Sequence, residues 1–467
     1  MQSNRTVQEM VQKDPLFFSF EHAIINKNRQ GEIEMKNQYI NLNERLLKTY
    51  DGTLSKNGVS GKRIAERLSV LANIGLTEED GSRRPGFSFL EREAKDKVIG
   101  WMKEAGLTTT EDGAGNIFGR LEGEKKGKPA VLSGSHVDTV PNGGHFDGTI
   151  GVLASLEVAQ AWKDTGYIPE KPYEVVVFTD EEGSRFNGGL TGSEAMVGDT
   201  DMEKTLLRRD YDGRLFKEVI QDVGLTVQGY QDAGRELSEI ETFIEVHIEQ
   251  GKKLEKAGLP CGVVTGIAGP YWLKVTFEGI AGHAGNTPMD DRKDALVAAS
   301  AFIQEVSRLP RTVNDSAVAT VGNIQVKPNG TNVIPGEVVL YIDIRDIQFD
   351  SRAELIDKIL EAGKIIEAET GVNFDHETVH DVAPSPVPEK LQQQLSESCR
   401  ANGIEPFVLS SGAGHDAMIL GCHIPSAMLF IQSKDGISHN PKEWSELSDC
   451  ILTIHVLKHY IESLQNA

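Results

Sequence analysis

The chain has 467 residues, 39% of them hydrophobic and 25% charged, a composition typical of soluble globular proteins and long enough for two domains. A formal net charge of −22 argues against a non-specific nucleic-acid surface and favours a soluble cytoplasmic protein. The four cysteines, Cys261, Cys399, Cys422 and Cys450, lack CxxC spacing and read as reduced thiols; no apolar run approaches the roughly 20 residues of a bilayer span.

Residues 1–41 are polar and weakly patterned, and read as an extension that is either an added helix or a loose arm, with no chemistry assigned. Lys13, Asp14, Glu21 and His22 interrupt any signal-peptide core there. From Leu42 to about Gly106 the periodicity is helical, with apolar residues about three to four apart in Arg63–Leu71 and Glu91–Met102. Strands and helices then alternate. Ala130–Gly134 predicts a buried strand leading to His136, Gly151–Ala159 a helix, and Tyr173–Phe178 a strand leading to Asp180. This alternation predicts an α/β sheet covered by helices, with ligands in the loops beyond the strand C-termini.

From about Ile267 to Pro384 the pattern changes. Tyr271–Gly279, Ala317–Gly322 and Val338–Arg345 read as strands, and Asp294–Ile303 and Ala353–Ala368 as helices. That β-α-β-β-α order predicts a small α+β sandwich inserted into the first domain. The Pro-rich run Ala383–Pro388 marks the return, through Phe407–Leu409 to a final helix at Ile451–Leu464. The expected organisation is an extension over 1–41, a catalytic domain over 42–266 and 385–467, and a lid over 267–384.

The chemistry concentrates in two stretches, Ser133–Pro141 with Gly144–Gly148, and Phe178–Phe186. The first places a His and an Asp on either side of a Gly-rich turn. The second ends an apolar strand with paired carboxylates, Glu181 and Glu182, which suit divided labour between metal binding and proton transfer. Imidazoles and carboxylates are preferred ligands of borderline and hard divalent metals. His136, Asp147, Glu182, His247 and His439 form the candidate metal set, pointing to a metal-dependent hydrolase. Two metals would need one bridging carboxylate, and Asp147, in a tight Gly-flanked turn, is the choice for it.

The motifs GSHVDTVPNGGHFDG, FTDEEGSRF, EVHIEQG, GIAGPYWLKV, AGHAGNTPM, TNVIPGEV, SGAGHDAM and KDGISHNPKEW occur in that order. As a set they resemble the amidase/carbamoylase branch of the aminoacylase–carboxypeptidase superfamily of dinuclear zinc hydrolases, from about Tyr50 to the C-terminus. The branch contains N-carbamoyl-L-amino-acid hydrolases, allantoate amidohydrolases and β-ureidopropionases. The resemblance implies a zinc-exopeptidase-type catalytic domain with an inserted lid and dimerisation domain. It implies one metal on His136, Asp147 and His247 and a second on Asp147, Glu182 and His439. Zinc is the first expectation, with manganese, cobalt and nickel also compatible. His247 marks the amidase side, since the peptidase branch carries Asp there.

By the same resemblance Glu181 is the general base and Asp138 the carboxylate that orients His136. His283 in the lid would stabilise the oxyanion, often in relatives from the partner subunit of a homodimer. Asn332 and Arg345 would hold the substrate carboxylate, with Gln250 and Gly414 as further contacts. His415 and Asp416 fall in a matching motif without an assigned role beyond ordering their loop. His145 departs from the polar residue that relatives usually carry. The expected substrate is a small ureido compound bearing a carboxylate: an N-carbamoyl-L-amino acid, with allantoate second and β-ureidopropionate third. Neither nucleic acid nor membrane is an expected partner. A non-catalytic scaffold would have lost a ligand or Glu181, and all are present; His247 disfavours a dipeptidase or aminoacylase.

Overall fold

Four strands that are buried on both faces make the middle of a mixed sheet: Ser426–Ile431, Ile240–Ile248, Ala130–His136 and Tyr173–Phe178, parallel and adjacent in that order. Burial on both sides explains their near-continuous apolar sequence. Successive residues serve opposite layers. Val131, Val175, Val177, Val246 and Leu429 pack with helices Gly61–Ala72, Thr149–Thr165 and Leu447–Gln465. Leu132, Val176, Phe178, Phe243, Met428 and Phe430 pack on the other face with Ala417, Met418 and Leu420 of helix Asp416–Gly421. Ile117–Leu121 and Thr108–Glu111 extend one side of the sheet antiparallel. Cys261–Ile267 extends the other, paired in turn with Val408–Ser411 and Ser385–Pro386.

This is a computed structural model, and it describes residues 39–465 together with strands Ala23–Lys27 and Ile33–Asn37, which pair antiparallel. The reading of residues 1–41 as an added helix or loose arm otherwise falls almost wholly outside the described residues. Among the described residues no helix is long and apolar enough to cross a membrane.

Helix Thr149–Thr165 is buried almost all round, which its sequence announces with Ile150, Val152, Leu153, Leu156, Val158 and Trp162. Gly148 starts it at φ +58° and Gly166 ends it in the left-handed conformation at φ +72°. Its N-terminus therefore meets the end of strand Ala130–His136, where the candidate ligands lie.

The inserted unit has its own core. Strands Val318–Lys327, Glu337–Asp346, Gly269–Glu278 and Asn373–Asp381 form an antiparallel sheet in that order. Helices Ala295–Arg308 and Phe349–Thr370 cover one face around Leu273, Val275, Phe277, Phe302, Leu340, Ile342 and Ile359. Two details correct the expected layout. A fourth strand, Asn373–Asp381, follows the second helix; as a mostly exposed edge strand it carries no apolar alternation to betray it. The Pro-rich return is also more than a linker, because Ser385–Pro386 pairs with Ile267 and Gly266.

Candidate metal centre

The parallel register places the candidate ligands. His136 pairs with Phe178, and Gly134 with Glu245, so His136 and His247 end neighbouring strands while Glu181 and Glu182 lie just beyond the third. Asp147 sits between them in the turn before helix Thr149–Thr165. Its Oδ1 is 3.1 Å from His247 Nε2 and 3.6 Å from His136 Nε2. Its Oδ2 is 3.5 Å from His439 Nε2, which is 3.3 Å from Glu182 Oε2. Ligand atoms of His136, Asp147 and His247 lie within 4.8 Å of one another, as do those of Asp147, Glu182 and His439. One carboxylate thus faces both sets, an oxygen to each.

The residues fit divalent metal ions. His136 Nδ1 is 3.1 Å from the Asp138 carbonyl and 3.5 Å from its carboxylate, leaving Nε2 as the lone-pair face. That buried Nε2 has no hydrogen-bond partner. His247 Nδ1 likewise lies 3.0 Å from the Ile248 carbonyl. Around them lie the buried carboxylates of Asp138, Asp147, Asp180, Glu245, Asp416 and Glu443, a surplus of negative charge that suits cations.

The same surplus shapes the titration. Burial alone would push the His136 pKa down, yet Glu181, Asp138 and Glu182 hold it well above the ordinary imidazole value. Burial raises Glu181, against the neighbouring His136, well above the usual carboxylate range; burial and Asp147 raise Glu182 likewise. Asp147 goes the other way: burial opposes its charge, but His247, His136 and His439 lower its pKa.

Local backbone strain marks the centre. Asp180, Gln250 and His439 are non-glycine residues at φ +54°, +55° and +54°. The turn after Asp180 aims Glu181 and Glu182 inward, and the Asp138 carboxylate accepts both of their amide hydrogens, at 3.2 and 3.1 Å. Asp138 therefore positions His136 and the two glutamates together. Glu181 Oε2 lies 3.5 Å from His136 Nε2, at the edge of the ligand cluster.

A cavity of about 290 Å³ opens over this floor, lined by Asp147, Glu181, Glu182, His247, His439 and, from the lid, Arg345. Gln250, Gly414 and His415 also line it. Arg345 Nε and Nη2 engage the Asp343 carboxylate, and Nη1 donates to the Gly412 carbonyl at 2.7 Å, tying lid to catalytic domain.

The other expected residues fall in several places. Gln250 directs its amide onto Asp147 Oδ2 at 2.9 Å and Ser438 Oγ at 3.2 Å, so it braces the Asp147 carboxylate as well as lining the cavity. His283 and Asn332 are not among the cavity's lining residues; both are exposed and adjacent in the lid, where Gly282–His283 pairs with Val333–Ile334. His145 is buried in the turn, its Nδ1 on Ser82 Oγ and its Nε2 on the Asp80 carbonyl, and does not line the cavity. His415, besides lining the cavity, packs its ring 4.5 Å from His247 with Nε2 on Ser411 Oγ. Asp416 is fully buried beside it, both oxygens without hydrogen-bond partners.

Sequence reasoning missed Glu245, Ser438 and Glu443. Glu245 accepts Ser135 Oγ–H and the Ala417 amide beneath the floor. All three stand inside the quoted motifs, but nothing in the linear pattern separates a supporting carboxylate from a solvated one.

A profile described as "Peptidase family M20/M25/M40" matches residues 132–463. The chain belongs to this family. It is 41% identical over 406 residues to the N-carbamoyl-L-amino acid amidohydrolase of Geobacillus stearothermophilus, covering 87% of this chain and 99% of that one. It is 35% identical to the allantoate amidohydrolase of Bacillus subtilis, covering 86% and 97%. A solved amidase of the hydantoinase/carbamoylase family from Burkholderia multivorans superposes with a TM-score of 0.80 at 36% identity, covering 87% and 98%. M20 members are metal-dependent hydrolases, and these relatives place the chain among the amidohydrolases.

Proposed function

We propose that this amidohydrolase cleaves the ureido C–N bond of N-carbamoyl-L-amino acids, giving the free amino acid, carbon dioxide and ammonia. The observation that carries this reading is the shared cavity: the Arg345 guanidinium on the lid and the Glu181–Glu182 pair on the floor line one space. Such a space suits a small molecule with a carboxylate at one end and a hydrolysable carbonyl at the other.

His136, Asp147 and His247 would hold one ion, and Asp147, Glu182 and His439 the other, zinc first with manganese, cobalt or nickel as alternatives. Bound there, the ions supply Lewis acidity that acidifies water and polarises the carbonyl. Glu181, beside the ligand Glu182 and 3.5 Å from His136 Nε2, takes the proton of the attacking water and returns it to the leaving nitrogen. Asp138 holds the Glu181 and Glu182 amides so that the base and its neighbouring ligand keep their spacing. Arg345 fixes the substrate carboxylate, with Gln250 and Gly414 on the adjoining walls.

His283 and Asn332 enter from the lid of a second copy in a homodimer. Their exposure together, outside the cavity lining of their own chain, supports that assignment. The four free cysteines fit a reducing, cytoplasmic setting.

The test is ammonia release at equal enzyme concentration from N-carbamoyl-L-amino acids, allantoate and β-ureidopropionate, with dipeptides as controls. The higher identity to the Geobacillus carbamoylase, 41% against 35%, favours the first. Faster turnover of allantoate, or of β-ureidopropionate, would replace the substrate assignment. Dipeptide cleavage without ammonia release would overturn the reaction class.

A further inference from the structure

Glu443 belongs to none of the ligand sets, yet it is 2% exposed and lies against the turn that carries Asp147. One oxygen, Oε1, accepts the backbone amides of Phe146 at 2.9 Å and Asp147 at 3.1 Å. The other, Oε2, is 3.2 Å from Ser438 Oγ, and that hydroxyl donates to Asp147 Oδ2 at 2.7 Å. Gly144 completes the fit, because a Cβ there would sit 2.1 Å from the Glu443 carboxyl. The Phe146 and Trp444 rings meet edge to face at 5.6 Å.

These contacts have a common consequence. Ser438 and Glu443 flank His439 in one short segment, and both grip Asp147, which is far away in sequence. The segment that supplies a ligand to one candidate ion therefore also sets the backbone and one carboxylate oxygen of the residue shared by both. A buried carboxyl beside Asp147 is electrostatically unfavourable, and two amide donors with a hydroxyl neighbour offset that cost.

We propose that Glu443 is a positioning residue for the bridging carboxylate, locking the His439 segment to the Asp147 turn so that both ion sites are preformed. The proposal rests on the metal reading above. Without Glu443 the Phe146 and Asp147 amides lose their buried acceptor, the turn shifts to recover partners, and the two Asp147 oxygens leave their positions between the imidazoles. Glutamine preserves the arrangement, since its carbonyl oxygen can accept both amides and its amide can donate to Ser438 Oγ.

The test uses full-length protein stripped with chelator and titrated with Zn²⁺ against a chromophoric competitor, and with Co²⁺ followed by visible absorption. Glu443→Ala should weaken uptake of at least one ion by about 10–100-fold, the scale seen when partners of metal ligands are removed. In saturating metal its kcat should fall with KM little changed, and Glu443→Gln should recover most of both losses. Ser438→Ala, which removes only the hydroxyl, should weaken uptake in the same direction and serves as the reading if Glu443→Ala fails to fold. Wild-type affinity in a folded Glu443→Ala protein, or in Ser438→Ala where that reading is needed, overturns the proposal. A wild-type chain that takes up no divalent ion sinks the metal reading and this proposal with it, whereas normal wild-type uptake with unchanged variants sinks this proposal alone.

Discussion

Replacing Gly148 by alanine should damage the metal centre without removing any ligand. A Cβ at Gly148 would lie 2.3 Å from both Cε1 and Nε2 of His136 and 2.4 Å from Cδ2. Ordinary contact between such atoms is about 3.5 Å, so ring or turn must yield by roughly 1 Å. The residue also sits at φ +58°, ψ −48°, outside the left-handed region, so a side chain costs more than the about 1–2 kcal/mol of that region. Overpacking adds about 1–3 kcal/mol, so the loss should exceed about 2 kcal/mol. Gly166, at the other end of the same helix, supplies the control. Its φ is +72° and no atom lies within 4 Å of its Cβ position, so Gly166→Ala should lose only the backbone part, about 1–2 kcal/mol. Urea unfolding of both metal-free variants, followed by circular dichroism, reads as the difference the clash together with the steeper backbone strain at Gly148. Turnover of Gly148→Ala should fall by about 10²-fold, since a ligand displaced by about 1 Å spoils the reacting geometry. Equal stability losses in the two variants, with normal turnover in Gly148→Ala, would refute the claim that His136 is held by the absence of a side chain at position 148.

Four further outcomes follow from the site. Glu181→Gln should keep metal uptake, because Glu182 is untouched, and lose at least about 10²-fold in kcat; near-normal turnover would remove Glu181 from proton transfer. Arg345→Lys should raise KM strongly for carboxylate-bearing substrates, since lysine keeps the charge but cannot span Asp343 and the Gly412 carbonyl together; an unchanged KM would relocate the anchor. Inactive His283→Ala and Glu181→Gln subunits, mixed and reassembled, should regain activity if His283 serves the partner's site; no recovery despite proven subunit exchange would confine His283 to its own chain. Burial and the nearby Arg84 lower the His145 pKa to about 4, so between pH 6.5 and 4 the unfolded chain binds this proton first. The corresponding stability is complete above about pH 6.5 and falls by up to about 3 kcal/mol toward pH 4, a slope that His145→Gln should flatten in urea titrations across that range.

The central strands, the helix after Gly148 and the ligand types are readable from the amino-acid pattern alone. Strands such as Tyr173–Phe178 carry a near-continuous apolar run, here Val175–Phe178, because both faces are covered, and that signal is local. His136, Glu181 and Glu182 were legible because they follow such strands at once, where an α/β sheet holds its ligands. The edge strand Asn373–Asp381 was not legible, since exposure removes the alternation that marks a half-buried strand. Which groups support the ligands depends on long-range packing. Glu443 touches the Asp147 turn across 296 residues, and Gln250 turns its amide onto Asp147 across 103. That packing also decided that Arg345 lines the cavity of its own chain while His283 and Asn332 do not, a matter of how lid and catalytic domain meet. Hydrogen-bond partners far apart along the chain leave no periodic trace in it, so a supporting carboxylate and a solvated one read alike until the fold brings their neighbours to them.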